Sequence, residues 1–161
     1  MATFKKEATT DKLVDRGRAF AAVGDTTRAE EYLAAAIDQG ADPREVLPLL
    51  LQVCVQTGRY RSAIQHAENH LRKHPTDMRT RFIVGTLYVA IGETKDAKNA
   101  LDMVVTAQPD DSKAHYALAV LARDNESDVV AADRHFREYL RIEPNGAHAE
   151  EARASLLKRM P

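Results

Sequence analysis

His66, His70 and His74 stand four residues apart in the sequence. On a helix that spacing puts the three rings on one stripe, and a pair at i and i+4 can chelate a transition metal. No carboxylate or cysteine is evidently placed beside the stripe to complete a tetrahedron. His74 also falls at the C-terminus of a helix predicted over residues 60–73, where the helix dipole favours a cation. The stripe is therefore expected to be structural, with no metal and no cofactor. Cys54 is the single cysteine, so no internal disulfide is possible. It lies in the apolar run VLPLLLQVCV and is expected to be buried rather than nucleophilic. The acidic residues are spread along helix surfaces. No phosphate-cradling glycine loop, GxSxG or HExxH motif occurs. These residues point away from an enzyme.

The bulk properties fit that view. A hydrophobic share of 44% and a charged share of 29% over 161 residues allow a packed core under a solvated surface. The net charge of -1 argues against nucleic acid as partner, because a duplex-binding module carries a basic excess. No run approaches the roughly 20 apolar residues that span a bilayer, so no membrane insertion is expected. The opening MATFKKEATTDKL has two lysines but no apolar stretch behind them, unlike a secretory signal. The expected location is the cytoplasm, which suits a lone cysteine.

What positions these residues is a repeat. Gly24, Gly58 and Gly92 recur every 34 residues. Ala29, Ala63 and Ala97 keep the same period, and Ala132 follows after 35. Pro75 and Pro109 are 34 apart, and Pro144 follows after 35. Each mark has a local job. The glycines fall where one helix must stop and reach the left-handed conformation cheaply. The alanines fall where two antiparallel helices approach closely. The prolines prevent continuation past the second helix. The pattern predicts helices over 10–23, 26–38, 43–57, 60–73, 78–91, 94–107, 112–124, 128–142 and 146–159. Asp42, Pro43 and Glu45 form a helix start, and Pro48 inside that helix predicts a kink or a late start near Leu47.

This unit resembles the tetratricopeptide repeat, a 34-residue helix-turn-helix. The segment 78–111 matches best, with Val84, Gly85, Tyr88, Gly92, Ala97, Leu101, Val104 and Pro109 at signature positions. The segment 10–43 offers Leu13, Gly17, Phe20, Gly24, Ala29, Leu33 and Ala36. The segment 44–77 offers Leu47, Leu50, Cys54, Gly58, Tyr60, Ala63, Ala67 and Pro75. The segment 112–145 offers Leu118, Ala119, Ala122, Ala132, Phe136, Tyr139 and Pro144. Three departures stand out. The first repeat ends in IDQGADP, without a proline at the usual place. The second has Leu51 where a small residue is usual, which predicts a wider helix pair. The fourth has the hinge RDNESDVV, with one extra residue and no glycine.

The resemblance implies an all-α fold, a TPR-type α-solenoid of antiparallel helix pairs forming a right-handed superhelix. It implies one domain over 10–161, with repeats at about 10–43, 44–77, 78–111 and 112–145, a capping helix at about 146–159, and a disordered tail over 1–9. Ala149, Ala152, Leu156 and Leu157 give the capping helix an apolar face, with Glu150, Glu151 and Arg153 on its wet side. It also implies that His70 occupies a usually buried place.

The family's groove positions carry over as Asp11, Val14, Arg18, Ala21 and Ala22 in the first repeat and Glu45, Pro48, Gln52, Val55 and Gln56 in the second. The third gives Arg79, Phe82, Thr86, Val89 and Ala90, and the fourth Lys113, Tyr116, Val120, Arg123 and Asp124. Phe82, Val89, Tyr116 and Val120 would form an apolar strip, with Arg18, Arg79, Lys113 and Arg123 as cations beside it. Gln52 and Gln56 would hydrogen-bond a peptide backbone. That suits a partner segment with apolar anchors and acidic residues. A clamp for a C-terminal carboxylate is not expected: Val14, Arg18, Leu49 and Ile83 replace four of its residues, and only Arg79 keeps a cation in place.

The residues leave three readings open: an adaptor or scaffold that binds another protein, a small chaperone or inhibitor of one client similar to secretion chaperones, and a metal-binding protein using His66, His70 and His74. Self-association through the end repeats is compatible with the first two.

Overall fold

The computed structural model describes residues 2–158, with side chains from residue 9 onward. Among these residues are nine α-helices and no strand. They fall into two compact units, Met1–His74 and Pro75–Pro161.

The first unit holds α1 (Ala2–Ala22), α2 (Thr26–Asp38), α3 (Pro43–Gln56) and α4 (Tyr60–Lys73). Short connections fold them into two antiparallel hairpins. Gly24 and Gly58, with φ of +80° and +71°, end the first helix of each hairpin. Ala29 and Ala63 are 0% exposed, so the recurring alanine does mark the contact between helices. Gly17 makes the α1–α2 approach closer still: a Cβ there would lie 2.7 Å from Leu33 Cδ2. Leu51 stands at the equivalent place in α3 and is buried, and the α3–α4 pair has the looser backbone approach its bulk requires.

Two expectations change here. The helix α1 begins at Ala2, so residues 2–9 are helical where a disordered tail was expected. Lysine, glutamate and alanine there are good helix formers and extend α1 backwards. The helix α3 starts at Pro43, as the predicted span 43–57 does, and runs through Pro48, so of the two alternatives at Pro48 the late start near Leu47 does not occur. Asp42 caps it by accepting from the Arg44 amide at 2.9 Å. Arg44 and Pro48 are both exposed, so the carbonyl that Pro48 leaves without a helical donor lies on the solvated side.

The second unit holds α5 (Met78–Ala90), α6 (Thr94–Ala107), α7 (Ser112–Leu121), a π-helical turn (Ala122–Glu126), α8 (Val129–Ile142) and α9 (Ala149–Ser155). A Cβ on Gly85 would lie 2.8 Å from Leu101 Cγ, which repeats the close approach of the first hairpin. Asp77, Asp111 and Asp128 cap α5, α7 and α8 through the amides of Thr80, Ala114 and Ala131. Phe136, at 0% exposure, centres the last core cluster with Ala119, Ala122, Ala132, Tyr139, Ala149 and Ala152.

The irregular hinge of the fourth repeat has a clear origin. Its extra residue is absorbed in the π-helical turn, so the predicted helix over 112–124 ends at Leu121 and continues as a wider coil. Ser127 then takes the left-handed conformation, with φ 56°, five residues before Ala132, as Gly92 stands five before Ala97. The missing glycine is thus replaced by a strained serine.

The capping helix is shorter than the predicted 146–159. It starts at Ala149 because Gly146 lies in a turn against the Tyr139 side chain, whose hydroxyl accepts from the His148 amide at 3.1 Å. It stops at Ser155 because Leu156 is extended and the Leu157 amide donates to Asp133 Oδ1 at 2.8 Å. Ala149 and Ala152 are buried as predicted, Leu156 is half-buried and Leu157 is exposed. Residue 159 lies outside the described residues.

Candidate protein-binding surface

The first helix of each hairpin packs on its partner and keeps some of its residues exposed. In the first unit this places Arg18 on α1 and Gln52 and Gln56 on α3, all exposed. The helices α1 and α3 touch, so these residues sit on neighbouring elements.

In the second unit α5 carries Arg79, Phe82, Thr86 and Val89. Phe82 is half-buried and the other three are exposed, Val89 by 37%. Thr86 Oγ1 turns back to donate to the Ile83 carbonyl at 2.8 Å. The neighbouring α7 carries Lys113, exposed, and Tyr116 and Val120, both half-buried. Among the described residues Arg18, Arg79 and Lys113 make no ion pair.

The far end of this second surface is already covered. The Tyr116 hydroxyl donates to Glu151 Oε2 at 2.8 Å, and its ring stacks on His148 with centroids 3.9 Å apart. Arg123 reaches Glu151 Oε1 at 3.0 Å, Ser155 Oγ at 3.0 Å and Asp124 Oδ1 at 2.6 Å, with its guanidinium over the Phe136 ring. Val120 packs against the cluster around Phe136. Burial, then the bond to Glu151, pushes the Tyr116 hydroxyl up to about 12. The Tyr116 bond, followed by those from Arg123, holds Glu151 below the usual carboxylate range. Tyr116 and Arg123, expected as free groove residues, thus have their polar groups engaged by the chain's own C-terminal segment. A signal was present: His148, Glu151 and Ser155 recur at helical spacing beside Ala149 and Ala152.

The histidine stripe is not drawn together as a ligand set. His66 turns to Glu30, with Nε2 2.9 Å from Oε1, while His70 and His74 stack on each other with centroids 4.6 Å apart. His70 is half-buried where the repeat pattern predicts burial. Among the described residues, the metal-capable group of three is Glu30, Cys54 and His66, whose ligand atoms all lie within 4.8 Å of one another. The expectation that no carboxylate or cysteine approaches the stripe is therefore corrected. Cys54 is fully buried, as predicted, and burial, then Glu30, pushes its thiol up to about 11. Such a thiol is protonated at neutral pH and unsuited to nucleophilic attack.

A second histidine pair went unremarked in the sequence. His115 Nε2 lies 2.9 Å from the Pro109 carbonyl, which only accepts, so in the neutral ring that nitrogen carries the proton. His115 Nδ1 then accepts from His135 Nδ1 at 3.1 Å, which leaves His135 Nε2 a bare acceptor. That atom is buried with no partner among the described residues.

Paired helices with exposed first-helix faces define a helical-repeat scaffold, a class that generally serves protein–protein interaction without catalysis. The chain belongs to the tetratricopeptide-repeat family: two tetratricopeptide-repeat models match it, one over residues 14–77 and one over 55–121. A tetratricopeptide repeat protein from Parabacteroides merdae is similar over 92% of this chain and 59% of its own, with TM-score 0.79 and 22% identity. MamA is similar over 89% of this chain and 78% of its own, with TM-score 0.75 and 20% identity. YrrB, a TPR protein with an unusual peptide-binding site, covers 86% and 71% with TM-score 0.70 and 17% identity. At these identities the likeness is one of fold. The human protein O-mannosyl-transferase TMTC1 is 25% identical over 121 residues, and the chain spans 14% of its length. No helix among the described residues is long and apolar enough to cross a membrane.

Proposed function

We propose that the chain is a non-catalytic adaptor that holds a segment of another protein against its first-helix surfaces. The observation that carries this reading is the combination on the second unit. Arg79 and Lys113 are exposed cations without ion pairs among the described residues, and they stand beside Phe82 and the exposed Val89. An apolar anchor flanked by unneutralised cations suits a segment with apolar and acidic side chains. Arg18, Gln52 and Gln56 offer a similar polar surface on the first unit. The peptide-binding site named for YrrB supports the use of this fold for such a task. The cytoplasm is the location this reading favours.

The test is affinity capture from the native host, followed by calorimetry with the captured segment. Arg79→Glu and Phe82→Ala should each weaken binding at least tenfold while leaving the circular dichroism intact. Unchanged affinity in both variants removes the surface from consideration. A single client held at fixed stoichiometry would make the protein a dedicated chaperone rather than a general adaptor.

A further inference from the structure

Glu30 lies on α2, Cys54 on α3 and His66 on α4, and the three side chains converge inside the first unit. The carboxylate of Glu30 is divided between two neighbours. Its Oε1 faces His66 Nε2 at 2.9 Å, and its Oε2 is held by Arg59 Nη1 at 2.6 Å. Arg59 is itself fixed by the Thr26 carbonyl and the Thr57 hydroxyl, each at 3.0 Å. One carboxylate oxygen is therefore locked from behind while the other points into the group. That is how metal-binding carboxylates are commonly oriented by an outer partner.

We propose that Glu30 Oε1, Cys54 Sγ and His66 Nε2 form a tetrahedral site for a zinc-class divalent ion, with the fourth position open to water or an incoming donor. Bonds of about 2.0–2.3 Å place tetrahedral ligands roughly 3.3–3.8 Å apart, so atoms already within 4.8 Å need to move by about an ångström. One thiolate, one imidazole and one carboxylate form a donor set of the kind zinc accepts, and magnesium or calcium would be poorly served by the sulfur. On binding, the Cys54 thiol gives its proton to solvent and the His66 proton moves to Nδ1, so that the sulfur and Nε2 donate lone pairs. Glu30 and His66 are 16% and 24% exposed at their side chains, which gives the ion a way in to a buried sulfur. The bound ion would tie three consecutive helices together.

The experiment uses the full chain, stripped with a chelator and titrated with cobalt(II) and then zinc(II). One cobalt per chain is expected, with a near-ultraviolet thiolate-to-cobalt band and the visible bands of tetrahedral coordination, both bleached by zinc. Cys54→Ser should abolish the thiolate band. His66→Gln, at a half-exposed position, should weaken binding at least tenfold with circular dichroism unchanged, and it decides the matter if Cys54→Ser does not fold. Arg59→Gln should weaken binding about ten- to a hundredfold, as loss of an outer partner does. The double variant His70→Gln/His74→Gln should leave binding unchanged. Absence of the thiolate band, binding unaffected by His66→Gln, or loss of binding in the His70/His74 variant would each overturn the site.

Discussion

His135 should begin to make the second unit acid-labile above the range where carboxylates titrate. Burial, followed by repulsion from His115, Arg134 and Lys98 and offset only in part by Glu138, lowers its pKa from 6.5 to about 4. Between those values the unfolded chain takes up a proton that the folded chain refuses, so stability falls as the pH falls. The contribution is fully present above 6.5 and is lost progressively on the way down to about 4. With those two values the loss is about 2 kcal/mol at about pH 5 and about 3 kcal/mol at about pH 4. The tautomer chain explains why no neighbour rescues the proton: it would go to His135 Nε2, which faces no acceptor among the described residues. Urea unfolding at several pH values, with hydrogen exchange to locate the loss at α7 and α8, measures this. Comparison with His135→Gln, which keeps an N–H donor toward His115, subtracts the carboxylates common to both proteins. The variant's stability should fall by about 3 kcal/mol less than the wild type's over this range. Parallel curves would refute both the burial argument and the assigned tautomers.

Three further outcomes follow from single positions. Ser127→Gly should raise stability by about 1 kcal/mol in urea unfolding, because Ser127 sits at φ 56° where glycine carries no Cβ penalty. Gly85→Leu should lower the melting temperature, at a cost of about 2 kcal/mol or more, because a Cβ already meets Leu101 Cγ at 2.8 Å. Glu151→Gln should bring the Tyr116 titration down from about 12 in an ultraviolet pH titration, yet leave it above the ordinary tyrosine range because burial is the larger cause.

Much of the fold was legible because each periodic residue does a local backbone job. Gly24, Gly58 and Gly92 all have positive φ, and Ala29, Ala63 and Ala97 are all fully buried, so the period follows directly from sterics. Ser127 was not legible because serine carries no left-handed signature, and the π-helical turn that feeds it leaves no mark except the shifted spacing of Ala132 and Pro144. The surface residues could be placed on open helix faces by repeat position, but not paired. Glu30 and His66 are 36 residues apart and meet only when α2 and α4 are laid across α3. His115 and His135 were hidden in the same way, since nothing local distinguishes a histidine that faces a helix from one that faces water.

If the proposed surface does hold a partner, the capping helix narrows what that partner can look like. Its contacts with the rest of the second unit include small buried side chains, Ala149 and Ala152, the acid Glu151 and the flat ring of His148. The surface around Tyr116 and Arg123 is therefore matched to a short helix that is small, acidic and aromatic at neighbouring turns, and the chain fills it itself. A partner segment meeting that end must displace a carboxylate that already neutralises Arg123 and a ring already stacked on Tyr116. Toward α5 no such competitor stands: Arg79 and Lys113 keep their charges unpaired among the described residues, and Phe82 and Val89 keep apolar surface open. Binding energy in the second unit should concentrate there. Substitutions at Arg79, Phe82 and Val89 should weaken a partner in calorimetry, whereas Glu151→Ala should free the Tyr116 hydroxyl but leave Arg123 held by Asp124 and Ser155.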